Sequence, residues 1–176
     1  MKEIPVKIYS IASSLTESII FLDEVDGIRI LPIWIGPFEA QSIAIKMSGY
    51  VSPRPMTHDL LYRVIRDTGA RVTKVLISGI SENTYFSKIY ISCSDNKTIE
   101  IDSRPSDAIA LSVRSGSPIY ISEDVFEHSQ VLAKPISDDE IKTFKEKLKN
   151  LTPKDIIGDN PPKKEKEGKD EQETDN

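Results

Sequence analysis

The feature that most limits how this chain can fold is a recurrence. Ile33-x-Ile35 runs into Pro37-Phe38-Glu39-Ala40, and Ile99-x-Ile101 runs into Pro105-Ser106-Asp107-Ala108, with Pro37 and Pro105 68 residues apart. Each copy follows three β-rich segments and opens a helix. Proline suits the first helical turn, where its missing N–H is not needed, and an acid two residues later meets the positive end of the helix dipole. The pattern predicts an α+β fold with mainly antiparallel sheets, built from a duplicated β3α unit and short helices. A local reading competes with it, because strand–proline–acid–helix is also an ordinary way to begin a helix.

The surrounding segments fill in this frame. Val6 to Ile11, Ser18 to Leu22 and Ile28 to Ile35 read as three strands, with a turn at Asp26-Gly27. Ala40, Ile43, Ala44 and Met47 then recur at helical spacing up to Gly49. Thr57 is the expected N-cap of a second helix, with Leu60, Leu61, Val64 and Ile65 as its buried stripe and Gly69 at its end. Arg71 to Ser81, Tyr85 to Ser92 and Thr98 to Ile101 are the second strand set. The helix from Pro105 to about Arg114 is expected to take its cap from Ser103 or Arg104, and Pro118 to Ile121 forms a last strand. Ser137 and Glu140 make a capping box for a terminal helix. Tyr85, Phe86 and Tyr90 lack the neighbouring basic residues of an RNA-recognition sheet and are assigned to core packing.

Residues 1–135 are therefore read as one domain, 136–150 as a terminal helix and 151–176 as a disordered charged tail. The tail has no aromatic residue and three aliphatic ones, too little to offset the entropy of ordering it. The net charge is −5; five Lys against eight Asp or Glu put −3 of it in the tail and −2 in the rest. A strong basic field is thus excluded, so any nucleic-acid chemistry must use a local patch or a bridging cation. Cys93 is the only cysteine, expected as a buried thiol in a strand, and a lone cysteine fits a reducing compartment. No segment reaches the roughly 18 apolar residues of a membrane span. A cytoplasmic protein is expected.

Three polar segments carry the chemistry: Gly36-Pro37-Phe38-Glu39-Ala40, Arg54-Pro55-Met56-Thr57-His58-Asp59-Leu60, and the run from Ile101 through Asp102-Ser103-Arg104-Pro105-Ser106-Asp107 to Leu111. Together they resemble the bifunctional nuclease (DNase/RNase) family over roughly Pro5 to Phe126. The resemblance implies a nuclease of low sequence specificity acting on DNA and RNA. Its catalytic residues would be His58, Asp59, Asp102 and Asp107, and its substrate-binding residues Arg54, Arg104 and Ser106. Mg²⁺ or Mn²⁺ would be held by Glu39, Asp102 and Asp107, since such ions take one or two carboxylates together with phosphate oxygens.

Each residue also has a plainer role. Glu39 and Asp107 can be helix-start carboxylates. Arg54 and Arg104, stiffened by the prolines after them, can clamp phosphate bidentately or lock two loops through Asp59, Asp102 or Asp107. His58 can move a proton or make a structural hydrogen bond. His128 is expected at the surface. The alternative to an enzyme is accordingly a regulatory or assembly module whose polar clusters are structural ion pairs. Two short meanders leave sheet edges to cover, so a homo-oligomer, with a dimer favoured, is expected.

Overall fold

The computed structural model describes residues 2–150 apart from 15, 96, 136 and 137. The expected tail and the Ser137 end of the capping box lie outside the described residues. Strands β1 (Glu3–Ser13), β2 (Ser18–Glu24) and β3 (Arg29–Ile35) form an antiparallel meander, followed by α1 (Pro37–Met47) and α2 (Thr57–Asp67). A second meander, β4 (Arg71–Ser81), β5 (Thr84–Ser92) and β6 (Thr98–Ser103), leads into α3 (Pro105–Ser115). Then come β7 (Ile119–Ser122), α4 (Glu123–His128), β8 (Leu132–Ala133) and α5 (Asp138–Asn150).

All eight strands join one sheet in the order β6-β5-β4-β7-β1-β2-β3-β8. The short β7 joins the halves, antiparallel to β1 and parallel to β4. The α+β class with a mostly antiparallel sheet is as the sequence predicts. The shared order of elements does not by itself make the two halves copies. The β4–β5 hairpin turns at Glu82 and Asn83, both left-handed at φ 49° and 60°, which matches the twist of paired strands.

Alternation along the strands divides the apolar residues between two faces. Ile4, Val6, Ile20, Leu22, Leu31 and Ile33 pack with Val75 and Ile77 of β4 and Ile121 of β7, beneath Ile43 of α1 and Ile109 and Leu111 of α3. On the opposite face Ile19, Phe21 and Ile30 pack with Leu148 of α5. Ile141 and Phe144 of α5 are half-buried, so the face expected of that helix is the one that meets the sheet.

Four local expectations need correction. The expected stripe of α2 is buried only in part: Leu60, Leu61 and Val64 are 55, 42 and 51% exposed. Ile65 of that stripe packs on the core together with Tyr62, in line with His58 at i, i+4 and i+7. Polar ties at the start of α2 set which face turns inward, and they leave the more apolar side in solvent. Its N-cap is Met56 rather than Thr57, and Asp59 Oδ2 accepts the Met56 N–H at 2.9 Å. Cys93 lies just beyond β5 and is half-buried, and Phe86 is exposed, whereas Tyr85 packs against the core.

Ile109 is fully buried under α3, so Ile109→Ala should cost about 2–5 kcal/mol in urea unfolding through lost transfer energy and a residual cavity. Gly116, the left-handed cap of α3 at φ 71°, has nothing within 4 Å of an added Cβ. Gly116→Ala should therefore cost only about 1 kcal/mol, from backbone strain alone.

Candidate functional site

Three helix starts converge on one side of the sheet. α1 begins after Gly36 and α3 after Arg104, each with proline in its first turn, while α2 begins after Met56. Neither Gly36 nor Arg104 makes a side-chain cap. Arg104 turns away from the expected capping role and toward carboxylates. Its Nε donates to Asp107 Oδ2 at 2.8 Å, its Nη2 to Asp107 Oδ1 at 3.2 Å, and Nη2 also lies 2.8 Å from Glu39 Oε1. One arginine thereby links the starts of α1 and α3.

The link continues inward. His58 Nε2 is 3.0 Å from Asp107 Oδ1, and His58 Nδ1 is 2.9 Å from Ser42 Oγ. Ser42 Oγ in turn accepts from Arg114 Nη2 at 3.0 Å. Arg114 also donates to Asp59 Oδ1 at 2.7 Å, to Ala110 O at 2.8 Å and to Ser42 O at 3.3 Å. Donors can be ordered in one direction: Arg114 to Ser42, the Ser42 hydroxyl to His58 Nδ1, and His58 Nε2–H to Asp107. A continuous polar chain thus runs from Glu39 through Arg104, Asp107, His58, Ser42 and Arg114 to Asp59.

The two ends of this chain differ. The Arg114 side chain is 2% exposed with each of its three nitrogens hydrogen-bonded, whereas that of Arg104 is 66% exposed. Burial pushes the Asp107 carboxyl up, but hydrogen bonds from Arg104 and His58 outweigh it and hold it below the ordinary 3.8. Asp59 behaves alike: burial raises it, and the Met56 N–H and Arg114 bring it below 3.8. Arg104 is raised by the Asp107 carboxylate and then by Glu39. Gly36 matters sterically, since a Cβ there would collide with Glu39 Oε2.

Glu39, His58, Asp59, Arg104 and Asp107 are therefore brought together. Ser106 is buried beside Arg104. Arg54 is exposed in the loop before α2 and makes no ion pair among the described residues. Asp102 departs from expectation: it lies exposed on the edge strand β6, opposite Lys88, and takes no part in the chain. Because side chains alternate along a strand, Ser103 turns toward Ser87 and Asp102 toward the other face.

The donor set does not suit the expected cation. Glu39 and Asp107 are spanned by a guanidinium, Asp102 is elsewhere, and the three do not bring their ligand atoms within 4.8 Å of one another. Among the described residues such a grouping occurs at exposed Asp124, Glu127 and His128. His128 is exposed there, as expected.

Ser42 and Arg114 were missed by the sequence reading. The signal for Arg114 was its i+7 position relative to Asp107, which puts both on one face of α3. Ser42, three residues after Glu39, likewise shares a face of α1 with it.

Between the two strand-to-helix corners lies a cleft of about 510 Å³. Gly36 of the first corner and Arg104, Pro105 and Ser106 of the second border it, together with Trp34 and Tyr85.

Removing the buried cation would strand Asp59 and Ser42. Arg114→Ala should thus cost roughly 3–5 kcal/mol in denaturant unfolding, with Arg114→Lys recovering only part because it lacks the planar fork. Depressed carboxyl pKa values stabilise the fold above the ordinary 3.8 and lose that contribution as pH falls through the depressed values. Wild-type stability should accordingly drop more steeply below about pH 4 than that of Asp107→Asn, measured by urea unfolding across pH.

The family model of the bifunctional nuclease domain matches residues 20–134. Uncharacterized proteins from two strains of Mycobacterium tuberculosis are 35% identical over 149 residues, spanning 80% of this chain and 88% of theirs.

Proposed function

The chain belongs to the bifunctional nuclease domain family, and on that footing we propose that it is a hydrolase, a DNase and RNase that cleaves phosphodiester bonds with low sequence specificity. The observation that carries this reading is Arg104: an exposed guanidinium held in place by Asp107 and Glu39 at the outer end of a buried network. Its planar fork suits a phosphodiester, and its anchoring reduces the entropy lost when one binds. A net negative chain has no general field to recruit nucleic acid, so this local cation supplies the attraction.

Glu39 is the proposed base. Its Oε1 engages Arg104, while Oε2 has no hydrogen bond among the described residues. Water attacks phosphorus, its proton passes to Glu39 Oε2, and the P–O bond to the departing sugar oxygen breaks, with that oxygen protonated from solvent. Arg104 balances the charge gathering on the phosphoryl oxygens. His58, Asp59 and Asp107 are assigned to positioning Arg104, because their polar atoms already have partners. Mg²⁺ or Mn²⁺ would find Glu39 and Asp107 only with Arg104 turned away, so no step is given to it.

Purified protein should cleave single-stranded DNA and RNA, and Arg104→Ala and Glu39→Gln should each lower kcat/KM by about 10²–10³-fold. Asp102→Asn should stay near wild type. Loss of activity in EDTA, restored by Mn²⁺, would return the metal to the mechanism. Equal activity in all variants would mark a contaminating enzyme.

The pairing of His58, Asp59, Asp107 and Arg114 favours one second reading, a non-enzymatic module in which the whole network is structural. It predicts no cleavage under any of these conditions. We also propose a homodimer that covers the exposed apolar side of α2, formed by Leu60, Leu61 and Val64. Light scattering on a sizing column should give twice the chain mass, and Leu61→Glu should give the monomer. The cytoplasm is the compartment we propose, in keeping with the lone Cys93; among the described residues no helix is long and apolar enough to cross a membrane.

A further inference from the structure

The cleft between the two corners touches the network only through Arg104, and the rest of its wall is of another kind. At about 510 Å³ it falls within the size range of small-ligand sites. Two aromatic residues, Trp34 and Tyr85, line it, and Asn83, Gln130 and His128 are also in its wall. Trp34 lines the cleft while also packing against the Ile19 and Phe21 cluster, and its indole Nε1–H is buried with no hydrogen-bond partner among the described residues. No carboxylate is among the lining residues, although acids outnumber Lys and Arg by 28 to 23 in the chain. Rings for stacking, amides that both donate and accept, and one cation at the side describe a ligand that is flat, polar at its edges and anionic at one end.

We propose that this cleft takes an unpaired nucleobase with its sugar while Arg104 holds the attached phosphate, so that single-stranded nucleic acid is preferred over duplex. A base inside a duplex presents neither its faces nor its pairing edge, and would have to leave the stack to enter. This rests on the nuclease reading for the cleavage that follows, but binding can be measured without turnover.

Trp34 is the only tryptophan, so the fluorescence comes from one residue of the cleft wall. Adenosine monophosphate, adenosine, inorganic phosphate and a short oligonucleotide, single-stranded or annealed, would be titrated into the full chain. Calorimetry on the same samples reads any binding that leaves the emission unchanged. The proposal expects saturable quenching by the monophosphate, about tenfold weaker in Arg104→Ala, with adenosine binding little altered by that change. It expects the single strand to bind at least about tenfold more tightly than the duplex. Trp34→Phe, which keeps a ring in the wall, should retain binding by calorimetry. Absence of monophosphate binding by both methods, equal binding of phosphate alone, or equal binding of the duplex would overturn it. Binding without cleavage would leave this cleft standing and remove the hydrolase reading; cleavage without binding would do the reverse.

Discussion

The arrangement of helices over the sheet depends on one buried cation. Arg114 sits on α3, yet its guanidinium donates to Asp59 of α2, to Ser42 of α1 and to the carbonyl of Ala110 in its own helix. Burying a charge is costly unless its donors are met. Here a carboxylate, a hydroxyl and two carbonyls meet them, and the same bonds fix how three helices sit relative to one another. Apolar packing of Ile43, Ile109 and Leu111 on the sheet is non-directional by comparison. The polar contacts supply the orientation that such packing does not.

From that closed end the network passes outward through Ser42, His58 and Asp107 to Arg104, where it meets solvent. Closed and open ends carry different roles. The inner residues have their hydrogen bonds made and act by holding geometry; the outer arginine, flanked by Glu39 and Asp107, is free to engage something new. The cleft next to it extends the surface that a nucleotide could occupy. In the proposed hydrolysis, a positioned cation serves a chain that otherwise carries excess negative charge.

Much of this was legible in the residues. Strand alternation, the proline-initiated helices and the left-handed glycines are local effects, and Pro37, Pro105, Gly69 and Gly116 stand where local chemistry requires them. The locking of Arg104 by Asp107 was one of the two readings of that arginine, whereas its pairing with Glu39 across the two helix starts was not anticipated. What escaped was set by distance along the chain. Pairing of β7 with both β1 and β4 joins segments that no local pattern relates. The inward face of α2 was misread because apolarity alone pointed to Leu60, Leu61 and Val64, whereas His58 and Asp59 are tied to other helices and turn that side outward. Asp102 looked equivalent to Asp107 in a polar run, but strand alternation sends it to the opposite face from Ser103.

The central claim is that the inner arginine holds the fold while the outer one meets phosphate. Nitrogen-detected NMR of the arginine Nε–H groups tests it, because each arginine gives its own signal. On addition of a short single-stranded oligonucleotide, the Arg104 Nε–H resonance should shift progressively and saturably, while that of Arg114 stays in place and exchanges slowly with solvent. An Arg104 signal that does not move, or an Arg114 signal that exchanges as fast as an exposed side chain, would contradict the account.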